Sequence, residues 1–218
     1  MIQKLRQAML EQELDMLIVV STDEHLNEYL PAQNWRLEAS TSSGSSLGFS
    51  GSAGTAVFCL EGRSQLFVDS RYHLQAEQTC GENFEIQKLG NEGVLNPLEW
   101  IASLSEKALT VGADPYVMSQ KKWRGYENAV VKSGHSFKPT TPNLVDSVWV
   151  NRPNPPRNKI YPLVLKYTGK TSAGKLADVR NIMNESAMGK DRKADVLLLT
   201  MLDEIAWLTN LRGSDIDY

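Results

Sequence analysis

Residues 48–77, GFSGSAGTAVFCLEGRSQLFVDSRYHLQAE, contain the signals that decide the fold. A glycine-rich entry is followed by two β-rich runs, and the turn 61–64 between them contains glycine, which predicts a β-hairpin. Asp69 and Ser70 follow the second run and can cap a helix that begins near Arg71. A glycine-rich segment, a hairpin and a capped helix therefore stand in one block.

The spacing of the glycines argues against a nucleotide site. The dinucleotide fingerprint requires G-x-G-x-x-G between a strand and a helix, whereas residues 48–54 read G-x-x-G-x-x-G and a strand follows. Gly51 and Gly54 are therefore expected to supply unusual backbone angles or close chain packing before an inner strand. Residues 169–171, GKT, imitate the end of a phosphate-binding loop but lack its first glycine.

Several ordered motifs resemble one family. Residues 49–55, FSGSAGT, and 69–76, DSRYHLQA, resemble the first domain of Xaa-Pro aminopeptidases (aminopeptidase P), where the pattern is G-F-T-G-S-A-G and then D-G-R-Y-x-x-Q-A. Upstream, residues 21–29, STDEHLNEY, resemble the family's S-T-D-x-H-x-S-E-Y. Downstream, residues 143–153, NLVDSVWVNRP, resemble its N-L-V-D…W…R-P junction. The resemblance covers nearly the whole chain.

Composition places the chain among ordinary globular proteins. Hydrophobic residues make up 41% and charged residues 22% of its 218 residues, and its net charge of −3 argues against nucleic-acid binding. No apolar run approaches the roughly 20 residues needed to span a bilayer. The first residues form an amphipathic pattern with acidic residues rather than a signal peptide. We therefore expect a cytoplasmic protein with neither nucleic acid nor a membrane as a partner.

The order of the predicted elements indicates an α/β fold, a mixed sheet flanked by helices. A helix over the first dozen residues precedes an inner parallel strand at 16–20, and a capping box at 21–24 begins a short helix ending at Pro31. Residues 39–46 are serine-rich and are expected to lack order. Beyond the hairpin, the pattern predicts helices at 71–80, 97–104 and 119–134 and strands at 84–88 and 109–111.

A proline-rich segment suggests the domain organisation. We predict a first domain at 1–151, an extended linker at 152–159 and the truncated start of a second domain at 160–218. Residues 195–204 align without gaps on residues 15–24, although any helix–strand unit can show such a match. The resemblance implies that the second domain repeats the fold of the first, a creatinase/prolidase N-terminal-like domain.

Four residues are candidates for a structural or substrate-entrance role: His25, Asp69, Arg71 and Tyr72. His25 lies near the carboxyl end of a central strand, where open α/β sheets bind ligands, but we interpret it as a hydrogen-bonded structural residue. Arg71 is expected to pair with Asp23 or Glu28 at the same end of the sheet.

The resemblance implies a peptidase that removes the N-terminal residue preceding proline. In that family two divalent metals, commonly manganese, are held by two Asp, one His and two Glu in a later domain, where they activate a water. His25, His73 and His135 occur singly, and residues 215–217 are a bare D-x-D. We therefore assign no catalytic residue, metal ligand or cofactor to this chain. We expect a non-catalytic N-terminal region, a homo-oligomer, whose full-length form takes peptides with proline second.

Two alternatives stay open. The chain could be a stand-alone binding or dimerisation module of aminopeptidase-like fold, because such regions also occur in proteins that have lost peptidase function. It could also be the N-terminal domain of a prolidase or creatinase relative. The near-intact motifs of residues 49–76 favour the aminopeptidase.

Overall fold

A mixed six-stranded sheet forms the centre of the first of two units, Met1–Pro155 and Pro156–Tyr218. The computed structural model describes residues 1–43, 47–80, 82–184 and 194–216. The strands of the sheet are β1 (Met16–Val20), β2 (Thr55–Cys59), β3 (Ser64–Val68), β4 (Phe84–Lys88), β5 (Thr110–Ala113) and β6 (Ser136–Pro139). Their order is β4-β3-β2-β1-β5-β6, and β2 alone runs antiparallel to its neighbours. The predicted hairpin, β2 and β3, and the predicted mixed sheet are confirmed.

Helices cover both faces of this sheet. They are α1 (Ile2–Glu11), α2 (Arg36–Thr41), α3 (His73–Cys80), α4 (Pro97–Ser103), α5 (Gln120–Lys132) and α6 (Leu144–Val148). Asn96 and Glu99 form a capping box at the start of α4, and the Ser119 hydroxyl accepts the N–H of Lys122 at the start of α5. These caps explain why α4 and α5 begin where the sequence predicts.

The central strand β1 is buried on both faces, as its uniformly apolar sequence predicts. Leu17 and Val19 belong to a core cluster that includes residues of α1 and α3. Met16, Ile18 and Val20 belong to a second cluster that includes residues of α4 and α5. The prediction of an inner strand is confirmed, although β1 pairs antiparallel with β2 and parallel with β5.

Close packing explains the glycines that precede β2. A Cβ atom at Gly51 would lie 2.4 Å from Cζ of Phe49, and one at Gly54 would lie 2.6 Å from Cε1 of the same ring. Neither glycine has a positive φ. Of the two predicted reasons for these glycines, close chain packing is the one the structure confirms.

The capping box predicted at 21–24 is wrong, because no helix follows it. The Ser21 hydroxyl bonds to the backbone of the glycine-rich segment, and Glu24 pairs with Arg36 at 3.0 Å. The carboxylate of Asp23 instead accepts two backbone N–H groups of the following turn, each at 3.0 Å. Asp23 therefore stabilises a turn, while Ser21 and Glu24 form long-range contacts.

The serine-rich segment is ordered in part, contrary to the prediction for 39–46. Residues 39–41 belong to α2. The hydroxyls of Ser40 and Thr41 donate to the carbonyl of Leu37 at 3.1 and 2.8 Å, so these polar groups are satisfied within the helix. Residues 44–46 lie outside the described residues.

The second unit is built from short elements. They are β7 (Tyr161–Pro162), α7 (Leu165–Thr168), α8 (Ser172–Asn184), α9 (Leu202–Thr209) and β8 (Leu211–Arg212), and β7 pairs antiparallel with β8. Residues 196–199 align with β1 in sequence but form no strand, and no strand of the described ranges lies beside them to share their backbone hydrogen bonds. The division between the units falls inside the predicted linker, and the repeat of the fold stays a prediction.

Candidate functional site

A cleft of about 400 Å³ opens at the carboxyl ends of β1, β3 and β4. This edge of a parallel sheet is where open α/β folds bind ligands, because loops leaving the strands converge there. The polar residues that line the cleft include Ser21, Glu28, Ser52, Asp69 and Lys122. The cleft therefore contains two carboxylates and one ammonium group.

A hydrogen-bond network joins the glycine-rich segment to Tyr72, just before α3, and to the turn after β1. The Tyr72 hydroxyl lies 2.9 Å from Oγ of Ser52 and accepts the Ser52 N–H at 3.3 Å. Oγ of Ser52 donates to the carboxylate of Glu28 at 3.2 Å. The Tyr72 ring also packs edge-on against Phe49 at 5.6 Å between ring centres. Tyr72 thus has a structural role, and its hydroxyl reaches a residue that lines the cleft.

Asp69 and Arg71 form an exposed bidentate pair beside the cleft. Nε and Nη2 of Arg71 donate to the two carboxylate oxygens of Asp69 at 3.0 and 2.8 Å. The side-chain hydrogen bond from Arg71 lowers the pKa of Asp69, and the same bond raises the pKa of Arg71. The guanidinium also lies 5.0 Å from the centre of the Tyr72 ring.

The prediction that Arg71 pairs with Asp23 or Glu28 is wrong. Asp69 lies two residues away and accepts hydrogen bonds from two of the three guanidinium nitrogens, Nε and Nη2. The carboxylate of Asp23 is buried and accepts hydrogen bonds from its own turn. The local partner therefore replaces the long-range one.

His25 is exposed and does not line the cleft. Its backbone N–H donates to Asp23 at 3.0 Å, and its ring has no partner among the described residues. Of the four candidates, the structure brings together Asp69, Arg71 and Tyr72, and it leaves His25 apart from them.

Lys122 is a cleft residue that sequence reasoning missed. It reaches the cleft from the first turn of α5, and its ammonium group has no hydrogen bond or ion pair within the described parts of the chain. Burial lowers the pKa of Lys122 below its ordinary value, because the charged form loses water contacts. A lysine in a helical first turn belongs to no motif, so no sequence signal singles it out.

A charge cluster around the buried Arg36 was also missed. The Arg36 side chain is 5% exposed and binds Asp146 through two nitrogens, at 2.8 and 3.0 Å, and Glu24 at 3.0 Å. Arg152 joins the cluster with a 2.8 Å contact to Asp146. Burial alone would lower the pKa of Arg36, but hydrogen bonds and charges from Asp146 and Glu24 outweigh it and raise that pKa. The cluster ties the turn after β1 to α6.

No group of three His, Cys, Asp or Glu side chains in the described residues is placed to hold a metal ion. His135, for example, is buried with both ring nitrogens in use, Nδ1 accepting the N–H of Leu109 at 3.2 Å and Nε2 donating to the carbonyl of Leu104 at 2.8 Å. The two-metal ligand set that the resemblance implies therefore does not fit these residues. Within 1–43, 47–80, 82–184 and 194–216, no helix is long and apolar enough to cross a membrane.

Comparison with known families agrees with the fold and the motifs. A family model described as the creatinase/prolidase N-terminal domain matches residues 1–148, and a second model of the same description matches residues 151–218. The chain belongs to the creatinase/prolidase N-terminal domain family.

Several similar proteins are named Xaa-Pro aminopeptidases. The chain is 39% identical over 216 residues to a probable Xaa-Pro aminopeptidase P of Neosartorya fischeri, which covers 99% of this chain and 31% of that protein. A probable Xaa-Pro aminopeptidase P of Sordaria macrospora is also 39% identical, over 98% of this chain and 33% of its own length. The predicted resemblance is confirmed, and the chain spans about a third of the length of these relatives.

A solved structure shows the same fold. The X-prolyl aminopeptidase of Caenorhabditis elegans, described as a cytosolic enzyme with a di-nuclear active site, matches with a TM-score of 0.80 and 26% identity. The match covers 93% of this chain and 31% of that enzyme.

Proposed function

We propose that this chain is the non-catalytic N-terminal region of a metal-dependent Xaa-Pro aminopeptidase, which removes the N-terminal residue preceding proline. The 39% identity to aminopeptidase P relatives over 99% of the chain carries the proposal. The described residues form no metal-ligand group, so this proposal places the two divalent metals, manganese here, outside those residues. The cytosolic description of the C. elegans enzyme supports a cytoplasmic location.

The cleft supports a role for this region at the substrate entrance. It combines Lys122, whose ammonium has no protein partner in the described ranges, with the carboxylates of Glu28 and Asp69. A short peptide carries a carboxylate and an ammonium group, and a cleft of about 400 Å³ is in the size range of small-ligand sites. We propose that Lys122 binds a peptide carboxylate, because an ammonium group that lines the cleft without a partner among the described residues can form a charge-assisted hydrogen bond to an anion.

The catalytic part of the proposal is tested with the purified chain. We expect neither cleavage of Xaa-Pro peptides nor tight manganese binding. Manganese-dependent cleavage by material free of contaminating peptidase would overturn the non-catalytic assignment.

The entrance part is tested by peptide binding to the isotope-labelled chain, followed by NMR. We expect an Ala-Pro-Ala peptide to shift resonances of the cleft residues, and Lys122→Met to weaken binding by about tenfold, the usual loss for one charge-assisted hydrogen bond. Lys121→Met is the matched control, because Lys121 is an equally exposed lysine in the same helical turn but does not line the cleft. Equal losses in both variants, or shifts away from the cleft, would contradict the entrance role.

Assembly with a second copy is the remaining part of the proposal. It is supported by the exposed apolar side chains of the second unit, among them Val196 and Leu198, which would be covered in a dimer. Light scattering should show concentration-dependent association of the whole chain and a single copy for a variant ending at Asn151. A single copy of both at high concentration would favour the view that assembly needs other parts of a longer protein.

A further inference from the structure

A small cavity lies where β1 and β5 separate. Pairing of these strands ends at Ile18 and Ala113, while β1 continues to Val20. The strands β2, β3 and β4 lie on one side of β1, and β5 and β6 lie on the other. In open α/β sheets the crevice at such a switch in strand order is the usual ligand site. Here the hydroxyl of Thr22 donates to the carbonyl of Val117 at 2.6 Å and links the segments that follow β1 and β5. What is left between the strands is a cavity of about 10 Å³.

Two residues that line this cavity carry a buried polar atom with no hydrogen-bond partner among the described residues. These atoms are Nη1 of Arg36 and Oγ1 of Thr140. The other donor nitrogens of Arg36 are engaged by Asp146 and Glu24, and Thr140 is 1% exposed. A buried polar atom that gains neither protein nor water contacts is strongly unfavourable, so these atoms call for a ligand.

We propose that one water molecule binds in this cavity, accepting a hydrogen bond from Nη1 of Arg36 and bonding to Oγ1 of Thr140. The volume of about 10 Å³ is close to the least that holds one water. Small cavities with only apolar walls stay dry, whereas cavities that offer two or more polar partners bind ordered water. The cavity also borders Asp114 and Asn143, whose side chains bond to each other at 2.7 Å.

The charges around the cavity select water over an ion. The carboxylate of Asp114 opposes a chloride ion, and the guanidinium of Arg36 opposes a cation. Water both donates and accepts, so it satisfies an N–H donor and a hydroxyl at the same time.

The bound water makes the crevice between β1 and β5 a structural site in this domain. It completes the hydrogen bonding of Arg36, which connects Glu24 after β1 with Asp146 in α6. The crevice that binds ligands in other open sheets is filled by Thr22, Arg36 and this water. Ligands are then left with the larger cleft at the ends of β1, β3 and β4.

Oxygen-17 relaxation dispersion of solvent water tests the proposal on the full chain, because it counts long-lived buried waters. Thr140→Val keeps the shape of the side chain but removes the hydroxyl, and we expect it to lose the equivalent of one long-lived water. Thr140→Ser should keep this water. Thr79→Val is the matched control, because the Thr79 hydroxyl already donates to the carbonyl of Gln75 at 2.9 Å.

Equal dispersion amplitudes of Thr140→Val and the unchanged protein would overturn the proposal. Crystallography of the unchanged chain decides the question if Thr140→Val fails to fold. We expect a single density peak within about 3 Å of Nη1 of Arg36 and Oγ1 of Thr140. No peak there, or a peak that gains bromide anomalous signal after halide exchange, would show that the proposal is wrong.

Discussion

The two units contain similar apolar segments with opposite exposure. In Met1–Pro155, all five residues of β1 are buried between β2 and β5. In Pro156–Tyr218, the segment around 196–199 is equally apolar, yet Val196 and Leu198 are 83% and 82% exposed. An apolar run becomes an inner strand only where strands pair on both sides and helices cover both faces. The difference between the units is therefore one of neighbours and not of composition.

Truncation of apolar side chains should separate the two units most clearly. Phe58→Ala removes a fully buried ring from the sheet and should lower the free energy of unfolding of the first unit by about 3–5 kcal/mol. Leu198→Ala removes an exposed side chain and should change stability by less than about 0.5 kcal/mol. Hydrogen exchange of the β1 and β3 amides measures the first loss. Similar losses in both variants would mean that residue 198 is buried in solution.

Removing an ion pair should also destabilise the first unit more than the second, by a smaller difference in free energy than the apolar truncations. Arg36→Met removes the buried guanidinium from half-buried Asp146, which then keeps only its contact to Arg152, and should cost roughly 3 kcal/mol, at the lower end for buried pairs because that contact remains and Glu24 is 46% exposed. Lys170→Met removes the exposed contact to Asp178 in the second unit and should cost about 0–1 kcal/mol. Chemical denaturation monitored in each unit checks both values. A large effect at Lys170 would contradict the exposed placement of that pair.

Alkaline pH should weaken the first unit through its buried acids. Burial raises the pKa of the free Cys59 thiol from 9.0 to about 11 and that of Tyr126 from 10.0 to about 12. Because the unfolded Cys59 thiol ionises at lower pH than the folded one, its contribution to stability is complete below pH 9 and is lost between about pH 9 and 11. The contribution of Tyr126 is lost in the same way between about pH 10 and 12. Cys59→Ala should reduce this decline by about 2–3 kcal/mol. Stability at pH 7 is the internal control, since the packing change is independent of pH.

Packed and open glycines within the first unit provide the smallest contrast. Gly51→Ala would place Cβ 2.4 Å from Phe49 and should destabilise by about 1–3 kcal/mol. Gly125→Ala meets no atom within 4 Å in α5 and should be neutral or stabilise by up to about 1 kcal/mol. Thermal unfolding compares the two. A neutral Gly51→Ala would show that Phe49 can move aside.

Local signals made much of the fold predictable. The hairpin, β1 and the capped helices α4 and α5 depend on short patterns that operate within a few residues. Contacts over long separations were not predictable, because Arg36 and Asp146 are 110 residues apart and no local pattern joins them.

The candidate site was predictable in part for the same reason. Asp69 and Tyr72 stand in a motif beside the hairpin, whereas Lys122 reaches the cleft from a helix that is distant in sequence. Ser21 and Glu24 match the residue pattern of a helix start, but their side chains bind distant partners and no helix follows.

The first unit has its own two-sided core, whereas the apolar segment of the second unit is unpaired in a single copy. Hydrogen exchange of the whole chain tests this difference most directly, at a concentration where light scattering shows one copy. We expect strong protection of the β1 amides and almost none for residues 196–200. Protection of residues 196–200 as strong as that of β1, with no second copy bound, would contradict it.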